Sequence, residues 1–244
     1  MKKEIISRNF SRFASRYETE AKLQLRVAQE LIGQCHEFSG TVLDLGAGPG
    51  IIAKNSNWDV TSLDISYEMC RLVDDVAVNA DIENLPFADN SYPNIISSLS
   101  LQWAVDIEKA LAEVKRVLKP GGRFAFTTFA PDSLKELKAA FAYIDADQHL
   151  MEFEHVIKIF AMLKKAGFAN LVMSSQKISL SYPDMLAALR SIKNIGASYG
   201  FGAHKSLRGK AYFAKLENVY KGIIKTQAQI PLNWEVLYIH AEKA

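Results

Sequence analysis

The sequence predicts an α/β fold built on a mostly parallel sheet covered by helices. Three observations carry this. VLDLGAGPG (42–50) is an apolar run that ends in three glycines spaced two apart, the pattern of a buried strand entering a sharp turn or a ligand-contacting loop. Strand-like and helix-like segments then alternate through the middle of the chain. Between NIISSLS (94–100) and RFAFTTF (123–129), finally, Ile107, Ala110, Leu111, Val114, Val117 and Leu118 recur at helical spacing behind the N-cap candidate Asp106, and KPGG (119–122) ends the run, which completes a βαβ unit.

Other elements follow in chain order. VTSLDIS (60–66) is a second strand candidate. SLKELKAAFAYI and HVIKIFAMLKKAGF read as amphipathic helices, and LVMSSQKISLSY and WEVLYIHAEK as the last two strands. Residues 1–37 and 183–230 break the alternation with helical, Gly-punctuated sequence. Ligands of open α/β sheets lie outside the carboxyl ends of the strands, so helices reaching that edge would enclose a site. The expected organisation is an N-terminal helical lid segment (1–37), a Rossmann-like core (38–182), a helical lid insertion (183–230) and a final strand (231–244).

Composition narrows the function classes. At 244 residues and 49% hydrophobic, the chain can bury a sizeable core. No apolar run approaches the roughly 20 residues that span a bilayer, and MKKEIISRNFSRF has no hydrophobic stretch after its lysines, so a cytoplasmic protein without membrane contact is expected. Cys35 and Cys70 are too few and too far apart for a disulfide framework, and the five histidines form no ligand-spaced pair; no metal is expected. Net charge is only +2, yet residues 190–225 carry eight basic side chains (Arg190, Lys193, Lys205, Arg208, Lys210, Lys215, Lys221 and Lys225) against one acid, Glu217. That bias suits an acidic partner or a solvated helix surface.

The glycine loop narrows the cofactor. The nicotinamide fingerprint needs glycine at the sixth place of G-x-G-x-x-G, and Ile51 stands there. With Asp44 two residues before the loop, D-x-G-x-G-x-G resembles motif I of the class I S-adenosylmethionine-dependent methyltransferases, as do NADIENLPF (79–87) and LKPGGRF (118–124). The resemblance implies a Rossmann-like, mostly parallel seven-stranded sheet with helices on both faces and a helical lid, and S-adenosylmethionine as cofactor. It places Asp44, Gly46, Gly48, Gly50, Ile65 and Leu99 against the cofactor, with Asp64 at its ribose. Asp81 then accepts from the adenine amino group, and the N–H of Ile82 reaches a ring nitrogen. Asp64 has an ordinary reading too, as a strand-end cap.

SSLSLQW (97–103) resembles the S-N-L-A-x-Q-W stretch of the malonyl-acyl carrier protein O-methyltransferases of biotin synthesis. Phe10, Arg12, Ala14 and Tyr17 fit that family's F-x-R-x-A-x-x-Y, and AKLQ (21–24), FTTF with SLKEL (126–137) and LRSIKNIGAS (189–198) extend the match over nearly the whole chain. The implied partner is an acyl carrier protein bearing a malonyl group, and Tyr17 is the candidate hydroxyl contact to the substrate carboxyl or cofactor. An Asn/Asp-Pro-Pro-aromatic stretch, associated with base N-methylation, is absent after the fourth strand, which argues against nucleic acid. Tyr199, Phe201, Tyr212 and Phe213 interleave with the basic run, however, and keep an RNA acceptor open beside their reading as a lid core. The family's H-x-N-R-F segment carries an arginine toward malonyl, whereas HLMEF here has His149, Glu152 and Phe153. An acid there repels an anionic acceptor. Another small-molecule or RNA methyltransferase, or a non-catalytic binding protein of the same fold, are the alternatives.

Overall fold

Each central strand divides its apolar side chains between two faces. Val42, Ile96 and Ala125 enter one core, while Leu43, Leu45, Ile95, Phe124 and Phe126 enter the other. This period-two division requires cover on both sides, and helices supply it. The computed structural model describes residues 2–145, 150–194, 209–225 and 228–244. The strands are β1 (Thr41–Leu45), β2 (Asp59–Asp64), β3 (Val76–Asn79), β4 (Tyr92–Ser97), β5 (Leu118–Phe129), β6 (Phe168–Tyr182) and β7 (Ile230–Lys243). They form one seven-stranded sheet in the order β3-β2-β1-β4-β5-β7-β6, in which β7 alone runs antiparallel to its neighbours. The order reverses between β1 and β4, so the crevice for a ligand opens at their carboxyl ends.

The helices are α1 (Lys2–Glu20), α2 (Lys22–Gln34), α3 (Ile51–Asn55), α4 (Tyr67–Cys70), α5 (Ile107–Val117), α6 (Lys135–Ile144), α7 (Val156–Lys165), α8 (Met185–Asn194) and α9 (Lys210–Ile224). Those of α2, α6, α8 and α9 pack on one face and those of α5 and α7 on the other. α5 begins where the sequence predicts, with the Asp106 carboxylate accepting from the Lys109 N–H at 3.0 Å. Its last turn is fastened by Lys243, whose ammonium donates to the carbonyls of Lys115 (2.6 Å) and Leu118 (2.7 Å).

Differences from the sequence reading are local. β3 is unpredicted, because four residues at a sheet edge are too short to show alternation. β4 stops at Ser97 rather than running to residue 100, since Leu99 turns left-handed (φ 49°) and Leu101–Trp103 form a 3-10 turn. Within the first 37 residues the two helices differ in placement. α2 buries Leu23, Val27, Ala28 and Leu31 in the core, whereas α1 runs beside α4 and α8.

Candidate active site

The glycine loop after β1 owes its sequence to crowding. Gly46 sits at φ +70°, and a Cβ built there would lie 1.7 Å from the hydroxyl oxygen of Ser100, so only hydrogen fits. Gly50, at φ +80°, opens α3. The loop is braced from β2: Asp64 Oδ2 accepts from the Gly48 N–H at 2.9 Å and Oδ1 from the Ser66 N–H at 2.7 Å. Asp64 is thus more than a strand-end cap. It ties the loop to the turn after β2, and each oxygen keeps a further lone pair. Burial raises its carboxyl pKa against the pull of those two N–H groups.

Seven of the predicted residues, Gly46, Gly48, Asp64, Ile65, Asp81, Ile82 and Leu99, line one cavity at the carboxyl ends of the strands. Asp44 and Gly50 stand behind that lining. Asp44 is fully enclosed, and neither of its carboxylate oxygens has a hydrogen-bond partner among the described residues. Burial, then the neighbouring charge of Asp64, pushes its pKa up to about 8. The side chain of Tyr17 lies outside the described residues, as do His149, Tyr199, Phe201, Lys205 and Arg208.

Sequence reasoning missed the groups that α1 brings. Lys3 donates to Asp81 Oδ2 and reaches Glu83 Oε2, both at 2.6 Å. Ser7 donates to the Ile65 carbonyl at 3.1 Å, and the Ser11 and Ser66 hydroxyls meet at 2.8 Å. Positions 3, 7 and 11 form one stripe, and Ile6, Phe10 and Ala14 form the adjacent apolar one. Phe10 packs edge-on against Trp103, with centroids 5.5 Å apart. Glu83 is buried too; its Oε1 accepts from the N–H groups of Val105 (2.7 Å) and Asp106 (3.2 Å). The D-x-E segment contained the signal for Glu83. Lys3 in a charged N-terminal run gave none.

A second cleft adjoins the cavity and shares Ile6, Trp103 and Ala104 with it. Gln102, Phe126, Thr128 and residues 151–154 contribute its walls, so Glu152 does face a site. Leu99, in the wall of the first cavity, is tied to Gln102 of the second cleft. Its N–H donates to Thr127 Oγ1 (2.9 Å) and its carbonyl accepts from Gln102 Nε2 (2.8 Å), which holds a non-glycine residue in a left-handed conformation.

Residues 43–126 match a methyltransferase domain model. Over 99% of its length the chain is 34% identical to malonyl-[acyl-carrier protein] O-methyltransferase of Gallionella capsiferriformans, covering 91% of that protein. The chain belongs to the malonyl-acyl carrier protein O-methyltransferase family. A second relative of this family member, the biotin biosynthesis bifunctional protein BioHC of Teredinibacter turnerae, is 31% identical over 99% of this chain and 47% of its own length. Among solved structures, the YcgJ protein of Bacillus subtilis shares the fold, with a TM-score of 0.64 at 18% identity over 88% of this chain and 97% of that one.

As a member of the family the chain is an S-adenosylmethionine-dependent methyltransferase, and the cavity fits that cofactor. Gly46 leaves no room for a side chain between the loop and Ser100, and the Asp64 carboxylate, which lines the cavity, can accept further hydrogen bonds. No cluster of His, Cys, Asp or Glu among the described residues could hold a metal, and no described helix is long and apolar enough to cross a membrane.

Proposed function

We propose that this chain methylates the free carboxylate of a malonyl thioester carried by acyl carrier protein, in the synthesis of biotin. The observation that carries the reading is the match to relatives of that name over 99% of the chain, which takes in α1 and β7 as well as the methyltransferase core. In this reading the ribose rests on Asp64 and Ile65. Asp81 and the Ile82 N–H read adenine, and Gly46, Gly48, Gly50 and Leu99 shape the methionine end, with Asp44 behind them.

S-adenosylmethionine supplies a methyl group on a sulfonium that departs as a neutral thioether. A malonyl carboxyl, with an ordinary pKa of about 4, is ionised at neutral pH, so the chain needs no general base and none has to be found beside the cavity. Its own contribution is proximity and exclusion of water. α1, fastened by Lys3, Ser7 and Ser11, covers the cavity as a lid, and the Phe10–Trp103 pair borders the junction with the second cleft. Tyr17 remains the proposed hydroxyl contact. Glu152, exposed in the second cleft, does not oppose an acceptor carboxylate held at the cofactor's end of the site.

Incubation with S-adenosylmethionine and malonyl-acyl carrier protein should give the malonyl methyl ester. Binding of S-adenosylhomocysteine without any transfer supports a non-catalytic binding protein instead, and transfer only to RNA or another small molecule replaces the malonyl assignment.

A further inference from the structure

We propose that the cleft beyond Trp103 receives the uncharged, amide-bearing arm of a thioester acceptor, and that Gln102 Oε1 accepts a hydrogen bond from an amide N–H of that arm. The inference rests on the reading of the preceding section and adds which part of the acceptor this site takes. Four observations support it. The cleft meets the cofactor cavity at Ile6, Trp103 and Ala104, so a group passing that junction would have its reacting end in one space and its tail in the other. The described lining contributes no cation of its own and Glu154 is taken up by Lys158 at 2.7 Å, so the walls suit the uncharged stretch of the arm next to the thioester rather than its phosphate end. Leu101, Phe126, Met151 and Phe153 supply apolar walls suited to an alkyl chain.

The fourth observation concerns polarity. Gln102 lines the cleft, and its Oε1 is buried with no hydrogen-bond donor. Its orientation is fixed, because Nε2 is committed to the Leu99 carbonyl at 2.8 Å, so rotating the amide would set oxygen against oxygen. A buried carbonyl left without a donor is costly, and an N–H that enters with a ligand removes that cost. A neutral chain with alternating alkyl and amide groups, as in pantetheine, matches this lining.

The test compares malonyl-pantetheine with malonyl-ethanethiol, which lacks amides, at saturating S-adenosylmethionine. The wild type should show a KM lower by about tenfold for the pantetheine thioester, and Gln102→Leu should abolish that preference. Release of the Leu99 turn in the same variant lowers turnover of both acceptors alike, so the ratio isolates the amide contact. Calorimetric titration of pantetheine into the protein loaded with S-adenosylhomocysteine gives a readout independent of methyl transfer. Saturable binding that Gln102→Leu weakens supports the inference. An unchanged preference in the variant, or no pantetheine binding by the wild type, overturns it while leaving malonyl methylation standing. Failure of the wild type to methylate either thioester removes the functional reading, and the titration then decides the cleft alone.

Discussion

Through its two oxygens the Asp64 carboxylate holds the glycine loop and the turn after β2, while the residue lines the cavity. Asp64→Ala should weaken S-adenosylhomocysteine affinity by about 10- to 100-fold, the range for a charged hydrogen-bond acceptor. Titration calorimetry beside a thermal melt checks this, and unchanged affinity would remove Asp64 from the ribose. Asp44 makes a prediction of different sign. In the folded chain it keeps its proton to about pH 8, whereas an exposed carboxyl loses it near pH 4, at about 3.9. The folded state therefore binds the extra proton between those values, and stability falls as pH rises through that window. Asp44→Asn should gain Tm over wild type progressively from pH 5 to pH 8. Parallel Tm curves would show that Asp44 ionises at no cost. That Asp64 and Asp81 belong to one cavity was legible because they sit in short segments whose pattern is local. The isolation of Asp44 was not, since it depends on what the rest of the fold fails to bring near it.

At the scale of elements, strands that read as short apolar runs and the capped α5 could be read directly, because their patterns lie within a dozen residues. β3 could not: its edge position leaves no side chain fully buried. α1 could be read as a helix but not placed, as its contacts lie 55 to 78 residues away along the chain. Its stripe of Lys3, Ser7 and Ser11 becomes a fastening only when Asp81, Ile65 and Ser66 are opposite. Lys3→Met should therefore loosen α1, speeding proteolysis within residues 2–20 and weakening S-adenosylhomocysteine by about two- to fivefold, the scale of a partly exposed ion pair. Full protection from protease in the variant would mean that the apolar stripe alone holds the helix.

Across the whole molecule the charge is uneven. Lys210, Lys215 and Lys225 are exposed on or just after α9, and Lys221 is half-buried against Glu217 at 2.8 Å. Glu217 also accepts from the Met185 N–H at 2.9 Å, so the basic surface is fixed to α8, which in turn touches α1. An acidic carrier protein would meet that surface before its acyl group reached the site, a steering effect on the rate of encounter. Lys210→Glu with Lys215→Glu should reduce kcat/KM for carrier-bound acceptor by about tenfold at low salt, with little change for malonyl-pantetheine. Equal loss on both would make the surface structural. The central claim, carboxyl methylation of a malonyl thioester, is tested most directly by presenting methyl-labelled S-adenosylmethionine together with malonyl-acyl carrier protein or acetyl-acyl carrier protein. The account predicts label on the malonyl form alone, released as methanol by mild base. Label on the acetyl form to the same extent, or none on the malonyl form from protein that binds S-adenosylhomocysteine, would contradict it.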